Sequence, residues 1–388
     1  MVAVSGAALT AFGRRVDGSS FRDWAVEAFA AAIAMSDVDP ADVDALFVAS
    51  ESDFFSLQLN PASVIADDLG LTGVATLRVE GGGASGQLAV HAGVARIMAG
   101  LARHVVVVGL DPTASALPGA TVKDLYGFSF DAWTDGMTGA SPTVLYGLSF
   151  QDFAAQTGAT SADLAAVTIR NRANACDNPG AHLHRRDTRH QIDASPIVAS
   201  PYRRLHCSPR SDGAAALVLS HPDALPASRR AAPRITGIGA ASDRVNLGAR
   251  NRPGDFAAKR KAMQRACAMA GIGPQAINVA EVYDAYAGAE LQGIAALGLS
   301  DDWRSDLRQG RFDRQGRCPV NLSGGLMGQG APVGATGVGQ TATCALLLEG
   351  RYHPALQPAR GLDHALADTH GGICTTAAVT LLGQAGAA

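Results

Sequence analysis

The 388-residue chain is expected to fold as an α/β protein around a buried, mixed β-sheet, with one structural unit used twice. Two observations carry this expectation. Short apolar runs alternate with alanine-rich stretches whose apolar residues recur at helical spacing. A helix, a proline turn and a strand also occur twice, in the same order and at the same offsets.

The strands come first in that argument. Val105 to Val108 and Ala214 to Leu219 are wholly apolar, and Ala377 to Leu382 is interrupted only by Thr380. Strands covered on both faces read this way, because neither face meets water. Between them, Asp23 to Met35, Gln87 to Ala99 and Phe256 to Ala270 have the spacing of helices.

The duplication rests on particular residues. Ala34-Met35-Ser36-Asp37-Val38-Asp39-Pro40 leads to Val43 and the strand Leu46-Phe47-Val48. Ala268-Met269-Ala270-Gly271-Ile272-Gly273-Pro274 leads to Ile277 and the strand Val279 to Val282. A strand-like segment precedes each helix, Ala3 to Leu9 and Arg234 to Ile238. Each half then reaches a glycine-rich turn before a small-residue helix, at Gly81 to Gly86 and Gly324 to Gly337. Helix–proline–strand units recur in many α/β proteins, but three features in one order favour duplication. The halves are placed at 1–232 and 233–388. Residues 113–205 lie outside the echo and form a long insertion in the first half, where ligand contacts are expected.

Composition sets the outer limits. Hydrophobic residues make up 47% and charged residues 17%, which supports a large core and argues against long disorder. A formal charge of −3 excludes broad electrostatic binding of nucleic acid. The densest basic stretch holds Arg185, Arg186 and Arg189 among His182, His184 and His190. Six scattered cysteines show no CxxC pair and no metal-ligand spacing, so no metal is expected. With no signal-peptide pattern, they are expected to be reduced thiols in a cytoplasmic protein. No apolar run approaches the roughly 18 residues of a membrane span.

Several motifs, taken in order, resemble the thiolase superfamily, in particular its sterol-carrier-protein-type branch, over nearly the whole chain. Gly83-Ala84-Ser85-Gly86 looks like the family's Cys-x-Ser-Gly nucleophile turn. Asn178-Pro179 and Cys207-Ser208-Pro209-Arg210-Ser211-Asp212-Gly213 resemble the end of the insertion and the strand returning to the core. Val282-Tyr283-Asp284-Ala285-Tyr286 stands where the family has Asn-Glu-Ala-Phe or His-Asp-Cys-Phe. Asn321-Leu322-Ser323-Gly324-Gly325 and Gly330-Ala331-Pro332-Val333-Gly334-Ala335-Thr336-Gly337 look like the Asn-x-Ser-Gly-Gly and Gly-His-Pro-x-Gly-Ala-Thr-Gly signature. His370-Gly371-Gly372 resembles the terminal glycine motif. The resemblance implies a five-layered αβαβα sandwich of two duplicated halves, a homodimer, and an acyl-CoA thioester as ligand. Coenzyme A would enter as part of the substrate, with no bound cofactor.

The same resemblance marks what is missing. The family's acyl-accepting cysteine is Gly83 here, its activating histidine is Ala331, and Thr369 aligns with its second cysteine. Glycine and alanine supply neither lone pair nor proton, so acyl transfer through Gly83 is not expected. What the family's pattern leaves is a backbone oxyanion hole at Gly83 and Gly371, with Tyr283 and His370 as the principal acid/base candidates. Ser323, Gly324, Ala331, Asp284, Tyr286 and Cys374 are expected around the substrate, Cys374 being the nearest surviving thiol and Cys207 a weaker one. An oxyanion hole without a nucleophile suits retro-aldol cleavage of a bulky 3-hydroxyacyl-CoA of steroid or lipid side-chain type. Cysteine-free members of the family that act as such aldolases typically work with a small zinc-ribbon/OB-fold partner. They include members with a tyrosine at the position of Ala331. Two alternatives stay open: a non-catalytic acyl-CoA-binding subunit, and an acyltransferase with an unusual nucleophile. The His182 to His190 stretch is either a solvated loop or a contact for CoA phosphates or a neighbouring subunit.

Overall fold

In the computed structural model, residues 1–386 are described and nine strands share one sheet. The first half supplies β1 (Val2–Leu9), β2 (Ala45–Ala49), β3 (Ala75–Val79) and β4 (His104–Pro112). A separate two-stranded ribbon, β5 (Ile197–Ala199) and β6 (Tyr202–Arg203), precedes β7 (Asp212–Ser220). The second half supplies β8 (Arg234–Ser242), β9 (Val279–Glu281), β10 (His364–Gly371) and β11 (Thr376–Gly383). The order across the sheet is β3-β2-β4-β7-β1-β8-β11-β10-β9.

The halves meet where β1 pairs antiparallel with β8. Outward from that seam both halves repeat one pattern. β1–β7–β4 is antiparallel, then β4–β2–β3 is parallel. β8–β11–β10 is antiparallel, then β10–β9 is parallel, and Ala280 of β9 makes an isolated parallel bridge to Val320. The second half thus keeps its fifth strand only as that bridge. The echo holds at the level of backbone conformation too. Asp37 and Gly271 both end their helices left-handed, at φ 56° and 71°. Pro40 and Pro274 both open short 3₁₀ turns, closed by Val43 N–H and Ile277 N–H donating to the proline carbonyls at 3.2 Å.

Three apolar cores separate the layers. Helix Phe21–Ser36 covers the outer face of the first half, with Trp24 and Phe29 packed over β7, β1 and β4. Helices Ser85–Met98 and Val333–Leu348 pack on each other between the two halves of the sheet. Helix Ala257–Ala270 covers β8 and β11 on the far side. The result is five layers, helix–sheet–helix–sheet–helix. Small residues make the central layer possible. A Cβ on Gly86 would lie 2.7 Å from the Gly337 nitrogen, so only glycine lets the two helix starts touch.

The insertion is largely helical. Its helices Pro142–Thr157 and Ser161–Cys176 reach across to pack on helix Ala287–Leu297 of the second half. Their apolar faces, including Phe150, Leu164 and Val167, join the second half's core. The basic stretch inside the insertion is charge-paired. Arg185 meets Asp187 at 2.7 Å, Arg186 meets Asp177 at 2.6 Å, and Arg189 meets Asp193 at 2.6 Å. Each arginine has a carboxylate partner, and all three side chains remain exposed. Among the described residues, no helix is long and apolar enough to cross a membrane.

Candidate active site

Three parts of the chain converge on a cavity of about 530 Å³. The first half contributes Glu51 after β2 and Gly83 in the turn just ahead of helix Ser85–Met98. The insertion contributes Tyr126 and Tyr146, and the second half Tyr283, Tyr286 and Ala331. β2 runs parallel to both β3 and β4, so the cavity sits at the carboxyl end of a parallel strand, the usual ligand edge of such sheets.

Gly83 lies in the short 3₁₀ turn Gly82–Ala84. A Cβ on Gly83 would fall inside van der Waals contact of both the His370 carbonyl oxygen and the Tyr283 hydroxyl, and 3.0 Å from Tyr283 Cζ. The volume a side chain would need here is therefore filled by a phenol from the other half. Tyr283 is held by its backbone N–H, which donates to Asp368 Oδ2 at 3.2 Å, and by its ring, 4.5 Å from the His370 ring. Burial above all, and then the negative charge of Glu51, pushes its phenol well above the ordinary tyrosine range. That keeps the phenol protonated at neutral pH.

His370 stands behind this wall. Its imidazole is fully buried against Phe256 and Tyr283 and does not line the cavity. Tyr146 Oη donates to the Gly372 carbonyl at 2.7 Å, so its single proton is committed. His370 Nε2, 2.9 Å from that same oxygen, must then be the donor, which leaves Nδ1 unprotonated and without a partner. Burial first, then Lys259 and Arg250, lowers the His370 pKa far below its ordinary value. What His370 presents toward the site is its backbone carbonyl. The expectation of an imidazole base is corrected accordingly.

The other expected site residues divide in two. Tyr286 and Ala331 line the cavity, Tyr286 bonding Thr143 Oγ1 at 2.9 Å and Ala331 N–H donating to Ser211 Oγ at 3.1 Å. Asp284, Ser323, Gly324 and Cys374 do not line it. Asp284 is fully buried and accepts from Leu326 N–H at 2.6 Å and Asn171 Nδ2 at 2.8 Å, clamping the Gly324–Gly325 turn. Ser323 bonds the Glu281 carboxylate, and Gly324 turns at φ 101° against Ala175. Cys374 is buried in the second half's core, and burial pushes its thiol up to about 12. Cys207 is likewise pushed to about 12. Neither thiol lines the cavity, and burial disfavours the thiolate form of each. Gly371 borders a neighbouring cavity of about 410 Å³, which shares Glu51, Tyr126 and Ser129 with the first.

Glu51 was not anticipated from the motifs. Its backbone N–H donates to Asp111 Oδ2 at 3.0 Å, and the same carboxylate accepts from Gly334 N–H at 2.6 Å and Ser50 Oγ at 2.9 Å. Burial, then Asp111 and Glu80, pushes the Glu51 carboxyl up to about 8. The signal available in the sequence was positional: an acidic residue at the end of an apolar parallel strand, two residues past Ala49.

Comparison with known proteins gives three results. The model of the thiolase N-terminal domain matches residues 2–188, and that of the thiolase C-terminal domain-like family matches residues 239–384. The chain is 32% identical to an acetyl-CoA acetyltransferase of Methanothermobacter thermautotrophicus over 99% of both, and 31% identical to benzoylsuccinyl-CoA thiolase subunit BbsB of Thauera aromatica over 72% of both. Among solved structures it is similar to an Ltp2-ChsH2(DUF35) aldolase, with a TM-score of 0.83 at 24% identity over 99% of this chain and 98% of that one.

Proposed function

The chain belongs to the thiolase superfamily, a family acting on acyl-CoA, and from that premise we propose that it cleaves the C2–C3 bond of a bulky 3-hydroxyacyl-CoA by retro-aldol chemistry. One observation carries the proposal: the Tyr283 hydroxyl fills the space beside Gly83 where an acyl-accepting thiol would stand. No covalent acyl-enzyme forms. Backbone N–H groups at the Gly83 turn stabilise the enolate oxygen of the departing thioester, since such donors serve an enolate as well as a tetrahedral oxyanion. Tyr283, kept protonated by burial, donates to the substrate oxygen at C3 and fixes its orientation. The fold likeness to a protein named an aldolase agrees with this reading but concerns the fold alone. A steroid or lipid side chain as the acyl group, a homodimer and a zinc-ribbon/OB-fold partner belong to the same proposal. The half-exposed Leu77 on the edge strand β3 supports a second copy.

Incubation with a 3-hydroxyacyl-CoA and a 3-ketoacyl-CoA, with and without the partner, tests the reading. Carbonyl release from the first substrate without added CoA supports it; CoA-dependent cleavage of the second refutes it. Tyr283→Phe is expected to lower lyase turnover at least about tenfold with the fold intact. Unchanged turnover would remove Tyr283 from the mechanism. Lys123 and Arg210 are the cations on the cavity lining, and both are exposed. Lys123→Glu is expected to raise KM for a CoA-borne substrate about fivefold at low salt, and less at high salt, with kcat unchanged.

A second reading has its own support. A relative at 31% identity is by name one subunit of a thiolase, which fits a non-catalytic acyl-CoA-binding subunit. Tight acyl-CoA binding with neither cleavage activity would favour it.

A further inference from the structure

The geometry points to Glu51 as the group that moves the proton in this reaction, taking it from the substrate's 3-hydroxyl and returning it to C2. The inference rests on the retro-aldol reading above and supplies the base that reading lacks. Among the described residues, Glu51 is the one carboxylate on the cavity lining, and no histidine lines it. Its position is fixed from the backbone, because Asp111 ties Glu51 N–H to Gly334 N–H in the first turn of helix Val333–Leu348. Its side chain is left free. Oε1 has only a 3.5 Å contact with Ser129 Oγ, and Oε2 is buried with no hydrogen-bond partner. A buried carboxylate oxygen without a partner is costly, and a substrate hydroxyl would satisfy it. Oε1 also lies 4.0 Å from where a Cβ on Gly82 would stand, which puts the carboxylate against the turn that holds the thioester.

The other buried acids nearby are occupied or elsewhere. Both Asp111 oxygens accept hydrogen bonds; Asp284 is held by Leu326 N–H and Asn171, and Asp368, although its Oδ1 also lacks a partner, is paired with Lys259, and neither lines the cavity. The step balances with one glutamate. The carboxylate removes the O3 proton, O3–C3 becomes a carbonyl, and the C2–C3 bond breaks with its electron pair passing into the enolate. The Glu51 carboxyl then gives the same proton to C2, leaving an acyl-CoA and a ketone or aldehyde, with no other reactant consumed. The groups around it set its acidity. Asp111 and Glu80 disfavour its charge, and the neutral phenols of Tyr126 and Tyr283 share its lining; Arg78 is engaged with Asp53 and the Ser50 carbonyl, and Lys123 is exposed on the same lining. A carboxyl pushed to about 8 gives and takes a proton near neutral pH with little driving force lost either way.

The test follows C2 hydrogen–deuterium exchange of propionyl-CoA in D₂O by mass spectrometry, using the full-length wild type, Glu51→Gln and Glu51→Asp. Exchange by wild type is expected to rise with pH and level off above about 8, because the ionised form is the base. Glu51→Gln is expected to lose about a hundredfold or more in rate while its propionyl-CoA Kd stays within about threefold, and Glu51→Asp to regain part of the loss. Exchange by Glu51→Gln within about threefold of wild type, or a wild-type profile flat through pH 8, overturns the assignment. The wild-type profile decides the matter if the glutamine variant fails to fold. A wild type that cleaves a 3-hydroxyacyl-CoA alongside an equally active Glu51→Gln removes Glu51 alone. A wild type that neither exchanges nor cleaves removes the retro-aldol reading, and this role with it.

Discussion

Gly83→Cys is expected to abolish lyase turnover without creating an acyl-transferring thiol. The new Cβ would be driven into the His370 carbonyl and the Tyr283 hydroxyl, and neither can yield easily. The carbonyl belongs to β10, paired along its length with β11, and the Tyr283 ring is wedged against His370. Overpacking of this kind costs about 1–3 kcal/mol, and a displaced Tyr283 costs roughly a hundredfold in rate. The thiol would also lack a base. Ala331 stands where an activating imidazole is needed, and the His370 imidazole is turned away toward Tyr146 and kept neutral. The checks are lyase rate, CoA-dependent cleavage of a 3-ketoacyl-CoA, melting temperature, and intact mass after mixing with an acyl-CoA. An acyl adduct on the introduced thiol with restored thiolysis would show that the glycine is a simple deletion and that Tyr283 does not replace the thiol. Thiolysis is instead expected to need at least three changes together, Gly83→Cys, Tyr283→Asn and Ala331→His.

The sequence carried the duplication well, because repetition survives as local chemistry. A left-handed helix end followed by a proline turn leaves the same trace at Asp37–Pro40 and at Gly271–Pro274. It carried less about the second half's fifth strand. That strand has shrunk to one bridge at Val320, too short for any periodicity to show. The cavity lining was legible where a motif residue itself faces the cavity. Gly83, Tyr283, Tyr286 and Ala331 all meet at one cavity. It was illegible where direction decides. In β10 the side chains alternate, so Asp368 and His370 share one face and Thr369 takes the other, and nothing in the residues says which face meets the ligand. Asp284 and Ser323 read as substrate contacts yet fold the turn behind it. Glu51 gave no motif at all. Its environment comes from Asp111 and Glu80 at the ends of neighbouring strands, and only the assembled sheet brings those three acids together.

Lys259→Met is expected to be the most destabilising single change near the site, by about 3–5 kcal/mol at neutral pH. Lys259 Nζ and Asp368 Oδ2 are 2.6 Å apart and both side chains are completely buried. Methionine replaces the stem of the lysine but not its charge, and leaves the buried Asp368 carboxyl with no counter-charge. The pH dependence fixes the interpretation. Burial already raises the Asp368 pKa above the ordinary carboxylate value, and Lys259 is the main opposing influence. Without the lysine the folded pKa rises further. Between the unfolded and folded values the native state then holds a proton that the unfolded chain has lost, so stability falls as pH rises through that window. The deficit of Lys259→Met should therefore be smaller at pH 5 than at pH 8 in denaturant titrations. Lys259→Met with Asp368→Asn should recover most of it, because the amide oxygen still accepts the Tyr283 N–H without carrying charge. The catalytic consequence follows from that last bond. Tyr283 is anchored to the same carboxylate oxygen as the lysine, so the single variant should lower lyase kcat more than it raises KM, and the double variant should restore kcat. A single variant equal to wild type in stability at both pH values would mean that the buried pair contributes nothing.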